Sequence, residues 1–364
     1  MISVTHWLRA AAVILLIGCA SQANAEPYLA AQMGLKCVQC HVNPSGGGMR
    51  TVFGNTFAQT QLAAKRLGAE EDLWTGQVMK FFSVGGNARA NYNYVDVPDQ
   101  SQTNDFEIEE ARGYLDFGVI PNRLSVYLDQ RFAPGNSINM EANVRYWIKE
   151  NAFYVKAGRM YLPFGYRLED DNAFVRQVSG INMQTPDEGA EFGVEHGSWS
   201  AQLAISNGSG GAPESDHGKQ FTTRVEFAQS VWRAGASLLF NDTDFGERSG
   251  AGVFGAFRAG PVTLLGEVDY IDDDSIGVGG RKLMASLAEA DWKLRQGHNL
   301  KLAFEWLEPN RDVDEDEQTR ASLLYEWSPI QFIQLRAGIR RYDGIPQNAN
   351  QNRTQGFLQL HGFF

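Results

Sequence analysis

Cys37, Cys40 and His41 are the residues whose types and spacing most directly imply chemistry. In Cys37-Val38-Gln39-Cys40-His41 two thiols, two residues apart, are followed at once by an imidazole: the C-x-x-C-H arrangement that attaches a c-type haem. The spacing has a mechanical reason. One tight turn carries both thiols to the two vinyl groups of a porphyrin, and the next residue presents its ring to the iron. The expectation is one covalently bound haem c, with Cys37 and Cys40 as attachment points and His41 as the proximal ligand. A thioredoxin-like dithiol would sit in a strand-helix-strand frame, which residues 35–50 do not offer. A structural zinc site would want four ligands, commonly more cysteines than this chain has. A plain disulfide remains open.

The sequence beyond the motif suggests how the site is completed. Asn43-Pro44-Ser45-Gly46-Gly47-Gly48 turns the backbone away, and a carbonyl near Pro44 is expected to accept the other ring N–H of His41. Val52, Phe53, Thr56, Phe57, Ala64 and Leu67 recur at helical spacing and predict one amphipathic helix over 49–67, covering the haem. For the sixth iron position the nearby thioethers are Met33, Met49 and Met79, with Met79 or Met49 the distal candidates; the downstream histidines are His196, His217, His298 and His361. Methionine ligation would raise the reduction potential relative to two histidines, although packing is the commoner use of methionine.

These residues need elements to position them, and the chain supplies two kinds. Arg9, the apolar run Ala10 to Ile17 and Ala23-Asn24-Ala25 read as a secretory signal over 1–25; Leu16-Ile17-Gly18-Cys19 leaves lipid attachment at Cys19 as the competing reading. Residues 26–76 then form a small α-helical haem module. From 77 to 364 the hydrophobic period becomes two, as in Leu124 to Asp129, Leu300 to Trp306 and Ile333 to Arg340. Seven short turns, the last at Ser328-Pro329, alternate with eight longer loops, one of them over 241–247, which predicts an all-β, antiparallel outer-membrane β-barrel of about 16 strands. The C-terminal phenylalanine, Phe364, with apolar residues at alternate positions before it, suits assembly into the bacterial outer membrane, lipid-exposed and with both termini periplasmic. A soluble sandwich is the competing fold.

The 364 residues carry a formal net charge of −11, which excludes electrostatic binding of nucleic acid. The pleat directs Glu110, Arg112, Asp129, Glu141, Lys156, Glu267, Lys301, Glu305 and Arg336 into the lumen. The long loop from Tyr161 to Glu188 is expected to fold into the pore. Three acidic runs, Glu169-Asp170-Asp171, Asp272-Asp273-Asp274 and Asp312 to Glu317, are expected on the outer side, either solvated or gathering hard cations.

With YLAAQMGLKCVQCH near the mature start, FGNTFAQ after it and a porin-like barrel, the chain resembles the fused monohaem cytochrome-porins of the bacterial outer membrane, whose best-known members are iron oxidases. At residue level the likeness is confined to about 28–58, so it carries Cys37, Cys40 and His41 over as haem-binding residues and nothing in the barrel. Asn43 to Gly48 departs from the Phe-Pro type of sequence expected there, and the barrel is shorter. The resemblance implies transfer of electrons from an extracellular donor, ferrous iron among the candidates, to a periplasmic carrier such as a soluble cytochrome. The alternative is a diffusion porin or uptake barrel whose haem module serves docking or structure. GRMYLPFGYRLEDD also looks like phosphate-selective porins, against which the acidic loops argue.

Overall fold

The computed structural model describes residues 26–364 apart from 70, 71, 215, 277 and 278. The expected signal segment 1–25 and Cys19 lie outside the described residues. Helix α1 (Pro27–Met33) starts on a proline, whose missing N–H costs nothing there, and stops at Gly34 in the left-handed conformation. Helix α2 (Cys37–Cys40) is a single turn, and α3 (Val52–Phe57) opens on Thr51, whose hydroxyl accepts from the Gly54 N–H at 3.1 Å. A π-turn, Ala58–Leu62, extends α3. The predicted helix over 49–67 is therefore shorter at both ends. At the start, Met49 is held in an extended segment by its N–H to the Tyr127 hydroxyl (3.0 Å) and its carbonyl to the Val42 N–H (2.9 Å). At the end, the Ala64 N–H donates to the Ser328 carbonyl at 2.8 Å.

A short strand β1 (Gln77–Met79) leads into the barrel, which begins with β2 (Phe82–Asp96) and ends with β17 (Thr354–Phe363). Every strand from β2 to β17 pairs antiparallel with its chain neighbours, and β17 returns to β2 with Phe363 opposite Asn87 and Thr354 opposite Asp96. The result is a closed 16-stranded antiparallel barrel with no free edge. Two connections differ from expectation. The strands Trp232–Thr243 and Gly246–Ala259 stay paired to a two-residue turn, so the loop expected over 241–247 is mostly ladder. The turn expected at Ser328-Pro329 falls instead at Gln331-Phe332, because the strand Gln318–Ile330 absorbs the proline in an irregularity between Trp327 and Ile330.

The polarity of the wall is the reverse of a soluble protein. Leu203, Phe221, Leu302, Phe304, Leu358 and Leu360 are exposed outward, while Arg112, Asp129, Glu141, Lys156, Glu267, Lys301 and Glu305 are buried inward. Only a lipid solvent makes such an exterior favourable, so the alternation places the barrel in the membrane and rules out the sandwich.

The interior is filled from two directions. Residues 26–67 enter the mouth rimmed by the short turns: Gln32 Nε2 donates to the Gly260 carbonyl (3.0 Å), Lys36 Nζ to Trp199 (2.9 Å), and Gln296 Nε2 to Ala63 (2.7 Å). In this barrel class the short turns are periplasmic, and Phe364 packs edge-on against Trp74 at that end. The 161–186 loop, with α4 (Phe174–Ser179), lies inside the lumen. Leu162, Phe164, Phe174 and Val175 join Tyr28 and Ala31 of α1 in one buried cluster against the inner wall. The acidic run of this loop is consequently inside: Glu169 pairs with Arg336 (2.6 Å) and Arg89 (3.3 Å), and Asp170 with Arg340 (2.8 Å) and Arg320 (2.9 Å). The run 272–274 lies at the outer end of its strand, where Asp273 is tied to Arg248 at 2.8 Å and Asp274 is exposed in the turn that follows, and the run from Asp312 stands in another outer loop.

Outward and inward positions answer differently to charge. Replacing Leu302 by arginine is expected to cost about 2–4 kcal/mol if it lies near the bilayer midplane, read as loss of the heat-modifiable folded band in lipid vesicles. An equal yield of that band in the variant would contradict the lipid-facing assignment.

Candidate functional site

The sequence motif folds into a wall of one cavity. Helix α2 sets Cys37 and Cys40 at the two ends of its turn, and the backbone then straightens at His41, whose N–H donates to the Cys37 carbonyl at 2.9 Å. His41 pairs as an isolated antiparallel bridge with Arg50, so the glycine-rich segment between them is a closed loop. Gly46 is required by conformation, its φ being +95°, which residues other than glycine rarely adopt. Gly54 is needed for a different reason, since a β-carbon would lie on the Cys40 carbonyl and push α3 off α2.

One cavity is lined by Cys37, Cys40 and His41. Leu29, Ala30 and Leu35 from the α1 region and Phe57, Ala58 and Leu62 from the α3 region make an apolar side. Arg50, Arg167, Arg224 and Arg233 make a cationic one, to which the lumen loop adds Tyr166. Arg224 and Arg233 share Glu226, each at 3.3 Å. Among the described residues neither Arg50 nor Arg167 has a carboxylate at ion-pair distance: Arg50 lies over the Phe363 ring at 4.8 Å, and Arg167 donates to Ser45 Oγ (2.9 Å) and the Leu162 carbonyl (3.1 Å).

Burial sets the protonation states. It is the main cause holding the His41 imidazole down at about 3, with the Arg50 charge acting the same way, so the ring is neutral across physiological pH. Burial pushes the Cys40 thiol up to about 11 and raises Cys37 as well, which removes the thiolate character that a redox or nucleophilic cysteine needs. Both ring nitrogens of His41 are buried and lack a hydrogen-bond partner. The backbone at Gly47 and Gly48, rather than at Pro44, lies beside the ring, close enough to favour its charged form but without hydrogen-bond geometry. A neutral, unpartnered imidazole beside two unpaired cysteines in an apolar and cationic cavity fits a covalently held porphyrin with two carboxylates. Among the described residues no three or more such side chains converge to hold a metal ion by themselves, Cys37, Cys40 and His41 included; a porphyrin brings its own four nitrogens.

The distal candidates are elsewhere. Met79 is 54% exposed at the barrel rim, and Met49 is 2% exposed, packed with Val42, Tyr114 and Tyr127. Met33 lines a neighbouring cavity near Phe57 and His298. His361 is buried between Gln334 (3.1 Å) and Asn87 (3.0 Å), and His298 sits beside Tyr325 and Trp327. The cavity residues that sequence reasoning missed are Tyr166, Arg167, Arg50 and Arg233. The first two lie in GRMYLPFGYRLEDD, singled out for likeness but not placed beside the motif, because 125 residues separate Tyr166 from His41.

Above the loop, on the long-loop side, a second space of about 1020 Å³ carries Glu107, Glu109, Glu110 and Asp171. Asn93, Asn91 and Gln184 donate to Glu107 (2.7 Å), Glu109 (2.9 Å) and Asp171 (3.0 Å), so these three carboxylates are held by amides rather than neutralised. This outer vestibule is therefore net negative, and the inner cavity net positive.

Two tests follow from these contacts. Gly54→Ala is expected to cost about 1–3 kcal/mol of module docking, read as faster protease nicking within 26–76 while the barrel stays intact; unchanged nicking would contradict the α2–α3 contact. Burial alone would raise Asp170, but Arg320 and then Arg340 overrule it and hold the carboxylate well below the ordinary value of about 3.9. Its contribution to loop docking is thus complete above that value and lost as pH falls toward the depressed one. Asp170→Asn is expected to raise bilayer conductance at neutral pH, whereas the wild-type protein does so only under strong acid; equal conductance of the two at neutral pH would refute the anchor.

Neither protein-family models nor curated protein sequences give a match to this chain. Its architecture is similar to solved outer-membrane barrels at low identity. A loop-deleted OmpT of Vibrio cholerae aligns with a TM-score of 0.61 at 12% identity over 78% of this chain and 99% of that one. An anion-selective porin from Comamonas acidovorans gives the same values, and OmpF of Salmonella typhi gives 0.59 at 10% identity over 78% and 97%. The chain is a porin-like β-barrel of the bacterial outer membrane whose lumen holds its own N-terminal segment and an inward loop.

Proposed function

We propose that this barrel is an outer-membrane electron conduit. Its module holds one haem c through Cys37, Cys40 and His41, and passes electrons from an extracellular donor, ferrous iron being the candidate, to a periplasmic carrier such as a soluble cytochrome. The observation that carries the reading is the position of the C-x-x-C-H segment: it lies inside the periplasmic mouth, with His41 neutral and unpartnered. A hydrocarbon slab of about 30 Å separates the two aqueous sides, and a redox group seated within the wall shortens the distance from each. When bound, the haem would supply one-electron chemistry at iron.

The chain's own residues do the rest. Helix α1 and the 161–186 loop pack together and exclude bulk water. The vestibule carboxylates Glu107, Glu109 and Asp171 favour a cationic donor over an anionic one. Arg50 and Arg167, lacking carboxylate partners, favour a ligand that brings negative charge. The second reading is a diffusion porin whose haem module docks a partner or serves structure, and the similar solved barrels, several of them porins, favour it.

Two measurements separate these. In a planar bilayer the conduit is expected to conduct ions far less than an open 16-stranded porin, and porin-like conductance would overturn it. In anaerobic intact cells, external ferrous iron is expected to bring up the reduced c-type absorption bands. Bands that respond only to a small permeant reductant would remove iron as the donor. His41→Ala is expected to abolish the response and leave the heat-modifiable barrel folded.

A further inference from the structure

The haem reading leaves the sixth iron position open, and the side chains that could close it are not where methionine or histidine chemistry would need them. Among the residues lining the cavity, His41 is the sole histidine and there is no methionine. Besides the His41 ring, two polar atoms there are orphaned: Arg167 Nε, and the hydroxyl of Tyr166, whose residue is 3% exposed. A buried hydroxyl donor left unpaired is costly, and in a native fold it marks a position that something else completes.

The position of Tyr166 is built. Its backbone N–H donates to Glu267 Oε2 at 3.0 Å, and its ring stands edge-on to Phe254 with centroids 4.9 Å apart. On one side, Gly165 donates to Ser237 Oγ (2.9 Å) and its carbonyl accepts from Arg224 Nε (2.8 Å). On the other, Arg167 ties the loop to Ser45 within the glycine-rich turn after His41, at 2.9 Å. The lumen loop thus clasps the haem-attachment segment, with Tyr166 in the same cavity as Cys37, Cys40 and His41. Tyr114, whose hydroxyl is also unpartnered, belongs to the separate cluster around Met49.

Resting on the proposed haem function, we propose that the chain supplies no sixth ligand and that Tyr166 is the distal-side residue, its neutral hydroxyl donating a hydrogen bond to a small oxygen- or nitrogen-ended ligand such as water, hydroxide or azide. Burial, with the Glu226 charge next, pushes the Tyr166 phenol up, which keeps it a donor rather than a phenolate. The four arginines add a field that favours an anion in this place. The loop that narrows the barrel then has a second role as the lid of the redox site.

The test uses the full-length haem-loaded protein in detergent. The ferrous form is expected to take up carbon monoxide stoichiometrically, with no chain ligand to displace, and Met33→Leu, Met49→Leu and Met79→Leu are expected to leave the spectrum unchanged. Tyr166→Phe is expected to keep the haem and to release azide from the ferric form about tenfold faster, the size expected for one lost hydrogen bond. A low-spin ferrous form that refuses carbon monoxide would overturn the open position, whatever the variants do. Unaltered azide release in a folded, haem-loaded Tyr166→Phe would overturn the donor role, as would a phenolate-to-iron absorption in the wild type that this variant loses. Absence of covalent haem from the wild-type protein would instead overturn the functional reading on which this inference rests.

Discussion

Glu26 meets Lys301 at 2.8 Å and Arg336 at 3.4 Å inside the lumen, and Arg336 in turn holds Glu169 of the inward loop at 2.6 Å. This chain of charges joins the N-terminal module, the barrel wall and the loop, and most of the interior follows from the constraint behind it. A porin wall can carry unpaired charges because water solvates them. Once protein displaces that water, each charge needs a partner or a large penalty is incurred. The module and the loop therefore bring carboxylates to wall arginines and lysines: Glu26 to Lys301, and Asp170 to Arg320 and Arg340. Such pairs fix register and orientation more than they add stability. The apolar surface shared by Leu162, Phe174 and Tyr28 stabilises the packed interior, and the charges decide where it sits.

The same constraint shapes the site. Around the C-x-x-C-H segment several groups lack partners: both nitrogens of His41, the Tyr166 hydroxyl, and Arg50 and Arg167 without carboxylates. Gly54 lets α3 lie against the cysteine-bearing turn, since a β-carbon there would meet the Cys40 carbonyl.

The opposite polarity of the two lumen spaces carries the directional argument. The outer vestibule has more carboxylate than guanidinium, whereas the inner cavity has more guanidinium than carboxylate. Under the proposed function, such a field would suit outer-sphere exchange between a cationic donor and a porphyrin bearing carboxylates. The fold neighbours have the barrel in common with this chain at 12% identity or less, so they speak for architecture alone.

The barrel was legible in the sequence because its causes are local. A period of two, short turns opposite long loops and a terminal phenylalanine each act within a few residues, and the membrane demands the same pattern on every strand. The C-x-x-C-H pattern could be seen for the same reason, being five consecutive residues. What the sequence misjudged was governed by partners far along the chain. The helix over 49–67 begins late because Tyr127 holds Met49, and the acidic run at 169–171 turned inward because Arg89, Arg320, Arg336 and Arg340 wait there. The placement of Tyr166 belongs to this second class: it reaches His41's cavity only because barrel closure encloses one space in which the loop must fold. Local periodicity thus determined the container, and closure, by bringing distant charges into a dry interior, decided its contents.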